Sequence, residues 1–447
     1  MSDSSLLPLS ELIIATARNV QAVLAGQSLT ESLTQTPLDR RAGAQALASH
    51  CMRQLGFAQA VRHNMVSRPP SDALVDALLL VSIVLLETSM AAQVSRKRGE
   101  EVPAHWPIYD AHTVVNQAVN AIASQKRMQP FKALVNGVLR RYGRERETIH
   151  VNVLKDPQAR WNYPNWWIRR LRKAYPDAWQ SVLMAASVPA PMMLRVNTQK
   201  ISPNEFLEKL QEAGIVARLI KGAAVLLETP RPVEQVPGFG AGLFSVQDAA
   251  AQQAAVLLEA RPGMRVLDAC AAPGGKTAHI LELADVNLWA LDVDQKRLAR
   301  VGENLVRLSL MSDQVKLCCA DAANIDKWWD GQQFDRVLAD VPCTASGVVR
   351  RHPDIRWLRR EADIARTVAL QADILNALWT TVKPGGRMLY VTCSVFPEEG
   401  IQQARHFQAT HSNAQLLPSP GQILPAPYNG SQGLHDGFFF ALFAKHA

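Results

Sequence analysis

Apolar residues recur at helical spacing from residue 8 to residue 142. The spacing predicts helices over 8–25, 38–55, 72–90, 110–123 and 130–142, with breaks at Pro69-Pro70 and Pro103. The most apolar stretch, Ala77 to Leu86, lies between Asp76 and Glu87. A bilayer crossing needs about 20 such residues, so this stretch predicts a buried helix of a bundle. The charged run Gly143 to Glu147 predicts a link to a second unit. Trp161, Trp166, Trp167 and Trp179 then stand among Arg169, Arg170, Arg172 and Lys173. Such a mixture can stack bases and hold phosphates, although tryptophans at helical spacing more often pack a helix onto its neighbour. A strand at 192–196, a helix near 202–213 and strands near 215–220 and 223–228 predict a small α+β unit. From 236 onward the pattern alternates. Strands are expected at 264–269, 288–292, 315–319, 334–339 and 387–393, and helices at 248–259, 276–284, 294–308 and 361–382. The expected architecture is an all-α bundle over 1–145, a small α+β domain over 160–235 and a doubly wound α/β, Rossmann-like domain over 236–447.

The chain has 447 residues, enough for two to four domains at about 100–200 residues each. A hydrophobic fraction of 48% and a charged fraction of 20% exclude wholesale disorder. The net charge of +8 is uneven: residues 1–150 carry +4, residues 151–235 carry +5 and residues 236–447 carry −1. Basic modules preceding a balanced one point to an anionic partner. Six cysteines are too few for a disulfide scaffold. Without Cys-x-x-Cys pairs or paired histidines, no structural zinc or other metal site is expected. Reduced thiols suggest the cytoplasm, and Met1-Ser-Asp-Ser-Ser lacks the basic start of a signal peptide.

The strongest motif is Val266-Leu-Asp-Ala-Cys-Ala-Ala-Pro-Gly-Gly-Lys-Thr277, a strand entering a Gly-rich turn and then a helix. Small residues there let a ligand approach the backbone, and the helix start offers free N–H groups. Position 270 is Cys, so the nucleotide-phosphate loop pattern fails, and the dinucleotide pattern is absent too. Later strands end at Asp292, near Asp321, at Asp340-Val-Pro-Cys343 and at Thr392-Cys393-Ser394. A carboxylate closing the second strand of such a sheet commonly accepts ribose hydroxyls, and ligands gather at that edge. One acid there is ordinarily a helix cap. A series of them with two cysteines is better explained by a site.

These motifs resemble the RsmB/NOP family of S-adenosylmethionine-dependent RNA cytosine-C5 methyltransferases. Asp268-Ala-Cys-Ala-Ala-Pro-Gly-Gly-Lys-Thr, Asp340-Val-Pro-Cys-Thr-Ala-Ser-Gly and Thr392-Cys-Ser-Val-Phe-Pro-Glu-Glu-Gly carry the resemblance. Leu194-Arg-Val-Asn197, Ser245-Val-Gln-Asp248, Arg350-Arg-His-Pro-Asp-Ile-Arg-Trp357 and Asp436-Gly-Phe-Phe-Phe also fit. Residues 8–142 look like the NusB-type RNA-binding domain of a bacterial member. The resemblance implies S-adenosyl-L-methionine as methyl donor and 16S ribosomal RNA as substrate, free or in early assembly. It implies neither a DNA nor a membrane partner, and a monomer. It places Cys270, Ala271, Ala272, Pro273, Gly274, Gly275, Lys276, Asp292, Asp321 and Asp340 around the donor. It assigns Cys393 as nucleophile, Cys343 as the cysteine that helps release product, and Asp340 to the cytosine. Arg195, Asn197, Arg350 and Arg351 are expected to touch RNA.

The chemistry fits those residue types. Carbon 5 of cytosine is a poor nucleophile until a thiolate adds at carbon 6, and an ordinary thiol is mostly protonated at neutral pH. In DNA cytosine-C5 methyltransferases the cysteine corresponding to Cys343 attacks, and that class has no counterpart of Cys393. Asp340-Val-Pro-Cys also lacks the Pro-Pro-aromatic pattern of amino-methyltransferases. Another RNA such as tRNA, or a catalytically silent assembly factor, completes the set of alternatives.

Overall fold

Helices Leu9–Leu24, Leu38–Arg53, Leu55–Met65, Ala73–Lys97, Ala111–Ala123 and Lys132–Val153 pack their apolar faces into one core. They belong to a computed structural model that describes residues 7–430 and 432–446. Met1-Ser-Asp-Ser-Ser therefore lies outside the described residues. By length and composition Ala73–Lys97 could cross a membrane, but most of it is buried in this bundle. The link expected at Gly143–Glu147 is helix instead, because Lys132–Val153 runs through it unbroken. Tyr142 Oη donates to Glu87 at 2.5 Å, and Arg146 forks onto the same carboxylate at 2.8 and 2.6 Å. Arg141 pairs with Glu145 one turn on, at 3.0 Å, and Ile149 and Val153 are buried. Charge here stabilises a helix rather than loosening a linker.

The chain folds as two units, and the helical one extends through Pro189 and includes Val349–Glu361. That second segment follows a strand of the other unit in sequence, yet it is built into the helices. Trp357 Nε1 donates to Met52 O at 2.8 Å, Leu29 N donates to Asp354 Oδ2 at 2.9 Å, and Arg53 donates to Arg350 O at 2.9 Å. Arg356 lies over the Tyr163 ring at 4.1 Å and donates to Ala186 O at 2.8 Å. Arg350 and Arg356 are both buried. The expectation that Arg350 touches RNA is corrected: its guanidinium is inside the protein. Arg351 is half-buried.

The other unit, Ala190–Val348 with Ala362–Ala447, contains two sheets. The smaller is antiparallel in the order β2-β3-β1-β4, from β1 Met192–Val196, β2 Ala217–Lys221, β3 Ala224–Leu227 and β4 Phe244–Val246. Ser202 and Glu205 cap its helix Pro203–Glu212 reciprocally. β4 lies beyond residue 235, where the sequence pattern placed the domain limit, and three residues are too few to show a period. The larger sheet has the order β10-β11-β9-β8-β5-β6-β7. β5 Arg265–Ala269, β6 Asn287–Asp292, β7 Val315–Cys319, β8 Phe334–Asp340 and β9 Val382–Thr392 are parallel. β10 Ala414–Ile423 and β11 Phe438–Lys445 run antiparallel at one edge. Separate apolar clusters cover its two faces. Strand order reverses between β5 and β8, and a crevice at the carboxyl ends of such neighbours is where open sheets bind ligands.

Arg195 and Asn197 sit at the end of β1 and both are fully buried, which corrects their expected RNA contact. Arg195 forks onto Glu282 at 2.8 Å twice, reaches Gly275 O at 2.7 Å and also donates to Gln247. Asn197 donates to Gly242 O and accepts from Gln199 N. Arg195 fastens the small sheet to the helix that follows the Gly-rich turn, while Asn197 ties the end of β1 to the loop before β4.

Removing one partner of a buried ion pair leaves a charge without compensation, which costs about 3–5 kcal/mol. Glu87→Ala is therefore expected to lower stability by about 3 kcal/mol in denaturant titration. Glu145→Ala, which breaks only an exposed pair, should change it by less than about 0.5 kcal/mol.

Candidate active site

β5 delivers Asp268 to the carboxyl edge, and the chain then turns through Cys270–Gly274 into the helix Gly275–Leu283. Cys270 takes φ +61°, a conformation that non-glycine residues rarely adopt, and Gly274 takes φ +96°. A Cβ on Gly274 would sit 3.0 Å from Val301 Cγ1. Glycine there lets the turn lie flat on the helix Gln295–Leu308. Asp292, at the end of β6, braces the turn: Ala272 N donates to its Oδ2 at 3.1 Å and Asp294 N to its Oδ1 at 3.0 Å. Arg297 stands 3.7 Å from the same carboxylate and donates to Ala272 O. Asp321 follows β7 on the same edge, exposed, and accepts from Ala323 N at 3.0 Å.

Asp268 is fully buried. Its Oδ2 accepts from Thr277 Oγ1 at 2.6 Å, while its Oδ1 has no partner. Burial pushes its carboxyl up to about 7, against the Thr277 hydrogen bond and with the Asp340 charge adding to the rise. Lys276, in the first turn of the helix, crosses the strand-order reversal to Asp340 Oδ2 at 2.5 Å. Burial alone would pull the Lys276 ammonium down. The charge of Asp340 and its hydrogen bond outweigh it and hold the Lys276 ammonium above the usual lysine value.

β8 and β9 end side by side, with Asp340 opposite Val391, so the loops after them are neighbours. Cys343 Sγ and Cys393 Sγ lie 3.4 Å apart, and both thiols are free. Gly347 N donates to Cys393 O at 2.9 Å, and Val395 N to Ser346 Oγ at 2.9 Å. Ala345 holds φ +57° between them. The hydrogen bond to Cys393, then burial, then the charges of Cys393 and Glu399 hold Cys343 well above an ordinary thiol. Burial likewise pushes Cys270 up.

Sequence reasoning missed Glu399, although it lies in the quoted Thr-Cys-Ser-Val-Phe-Pro-Glu-Glu-Gly run. Its carboxylate is fully buried and accepts from Thr344 N at 2.8 Å, Thr344 Oγ1 at 2.5 Å, Ser394 Oγ at 2.6 Å and Thr367 Oγ1 at 2.6 Å. The residues next to Cys343 and Cys393 are thus tied to one group. Two adjacent glutamates in an apolar context were the available signal. Asp248 does similar work between distant motifs: its carboxylate accepts Asp436 N at 3.0 Å.

A parallel sheet with a Gly-rich turn after its first parallel strand, and acids at the edge where strand order reverses, is the arrangement with which doubly wound enzymes hold a nucleotide-like cofactor. The unpartnered Asp268 Oδ1 fits a polar ligand lying on that turn, and a Cβ on Gly275 would make no more than an ordinary contact, 3.7 Å from Gln247 Nε2. A family model described as 16S rRNA methyltransferase RsmB/F matches residues 255–443, and an RsmF/B-like ferredoxin-like domain matches 163–234. The ribosomal RNA small subunit methyltransferase B of Vibrio vulnificus is 44% identical over 345 residues, 75% of this chain and 79% of that protein. The protein of the same name from Pseudomonas syringae pv. tomato is 38% identical over 97% of each chain. A solved methyltransferase homolog from Pyrococcus horikoshii is 29% identical, with a TM-score of 0.54 over 64% of this chain and 97% of its own. The chain belongs to the RsmB/F family and is an S-adenosylmethionine-dependent RNA methyltransferase.

Two outcomes test the turn. Alanine at 275 meets no close protein atom, so Gly275→Ala should fold normally and yet bind S-adenosylmethionine at least tenfold more weakly by calorimetry; unchanged affinity contradicts the placement. Asp268 has a raised carboxyl, so its contribution to stability is complete below about pH 4 and is lost as pH rises through about 7. The melting temperature of wild type minus that of Asp268→Asn should fall over that window. A flat difference contradicts the buried, protonated acid.

Proposed function

We propose that this protein methylates carbon 5 of a cytosine in 16S ribosomal RNA, with Cys393 bonded transiently to carbon 6. The observation that carries the reading is the pair of free thiols 3.4 Å apart, on adjacent strand ends, beside the Lys276–Asp340 pair. The Gly-rich turn Cys270–Lys276, with Asp292, Asp321 and Asp340, would hold S-adenosylmethionine. When bound it supplies an electrophilic methyl group.

Cys393 attacks carbon 6 as the thiolate, and a fixed ammonium nearby suits a nucleophile that must ionise. Asp340 can accept a hydrogen bond from the cytosine amino group. Methyl transfer at carbon 5 leaves a proton on that carbon. Loss of the proton to a base and return of the Cys393–carbon 6 bonding electrons to sulfur regenerate the enzyme. Cys343 suits the base. At rest its thiol is kept protonated chiefly by its hydrogen bond with Cys393. Once Cys393 is a thioether that restraint is gone, so Cys343 ionises more easily at the step that needs it. The target base must be presented unpaired, because the two sides of the ring face different partners. The helical bundle is read as a NusB-like RNA-binding part, and the free thiols suit the cytoplasm.

Denaturing electrophoresis with substrate RNA and S-adenosylmethionine separates the cysteine roles. Cys393→Ala should abolish methylation and covalent complex alike. Cys343→Ala should still attack and should accumulate a denaturation-resistant protein–RNA complex. The reverse pattern overturns the assignment, and methyl transfer that forms no 5-methylcytosine overturns the reaction.

A further inference from the structure

The fold leaves part of the Trp-Arg cluster unused. Trp167 is buried against Tyr163 and Trp166, which is packing. Trp161 and Trp179 are different. They meet edge to face at 5.2 Å, both half-buried, and form the wall of an open cleft of about 580 Å³. Arg160, Arg172, Pro176 and Gln180 complete its lining. The Arg160 guanidinium lies 5.5 Å from the Trp161 ring centroid. A second depression of about 410 Å³ shares Arg160 and Trp161 and adds Val151, Leu154, Lys155 and Pro157. Neither lining contains a carboxylate, and Asp156 nearby is engaged in capping Gln158 N.

We infer that this cleft is a subsite for single-stranded RNA, with an unstacked base against Trp161 and Trp179 and flanking phosphates on Arg160 and Arg172. The inference rests on the RNA substrate proposed above and adds where, away from the thiols, that strand is held. The chemistry is sequence-tolerant, since every base has a face to stack while the guanidiniums read only the backbone. The cleft volume falls in the usual range for small-ligand pockets, about 300–1,000 Å³. The shared wall lets the two depressions accept neighbouring nucleotides. The charge pattern agrees, because residues 151–235 carry the largest basic excess of the three segments, at +5.

The test uses the full chain and a fluorescent, 4-thiouridine-containing single-stranded 12-mer RNA, with its duplex as comparison. Ultraviolet crosslinking followed by peptide mass spectrometry should place RNA on Trp161 or Trp179. Arg160→Glu/Arg172→Glu should weaken single-strand binding about tenfold or more. It should also reduce the slope of log affinity against log salt by about 1.4, or about 0.7 per phosphate contact. Arg160→Lys/Arg172→Lys should retain most of the affinity, and Trp179→Phe should bind better than Trp179→Ala at matched melting temperature. The exposed pair Arg96→Glu/Lys97→Glu is the control for net charge. Equal weakening by cleft and control variants, or crosslinks that all lie outside 151–180, overturns the subsite while leaving methylation of RNA by the wild type intact. Failure of the wild type to bind or methylate RNA would overturn the functional reading itself.

Discussion

The placing of the two thiols hangs on one buried carboxyl group. Glu399 has no access to water and is satisfied by the backbone and hydroxyl of Thr344 and the hydroxyls of Ser394 and Thr367. A buried polar group is tolerated only when hydrogen-bond partners surround it, so the partners must come to it. Two of those partners, Thr344 and Ser394, are the chain neighbours of Cys343 and Cys393, and the third, Thr367, anchors the acid to a helix. The loops after β8 and β9 are otherwise irregular backbone that could drift apart. Tied to one acid, they hold two thiols at 3.4 Å. Gly347 and Gly437 close the rear of the same region, where a Cβ on Gly347 would collide with Gly437 O.

Electrostatics then divides the labour. Lys276 and Asp340 pair the helix after β5 with the end of β8, so the cation is fixed at the crevice rather than free to search. Asp268 behind it takes the opposite course. Lacking a cationic partner of its own and buried, it tends toward the neutral acid. Neighbouring carboxylates in different environments are thereby held in different states of charge on one sheet edge.

Much of this was legible in the sequence. The alternation of strands and helices after residue 236 gave the parallel sheet, and the Gly-rich turn and the two cysteine motifs do fall together at its carboxyl edge. The failures share a cause. Arg195, Asn197 and Arg350 read as basic or polar candidates for RNA because charge is visible in a sequence and burial is not. Each is paired or enclosed inside the fold. Gly143–Glu147 read as a linker because its partner, Glu87, is more than 50 residues away in sequence. β10 was invisible because Pro418 and Pro420 interrupt its period at an edge where prolines are allowed, and its pairing shifts register there. Val349–Glu361 could not be assigned to the helical unit from its position between strands, since only tertiary contacts such as Trp357 with Met52 reveal it.

The central claim is that Cys393, rather than Cys343, bonds the cytosine. The most direct measurement is a trapped adduct. RNA carrying 5-fluorocytidine at the target position keeps a fluorine where a proton must depart, so release of the covalent complex is blocked after methyl transfer. Proteolysis and mass spectrometry of that complex from the wild-type protein should find the nucleotide on the peptide containing Cys393, with one methyl group added. A nucleotide on the Cys343 peptide, or a methylated product with no trapped adduct, would contradict the account.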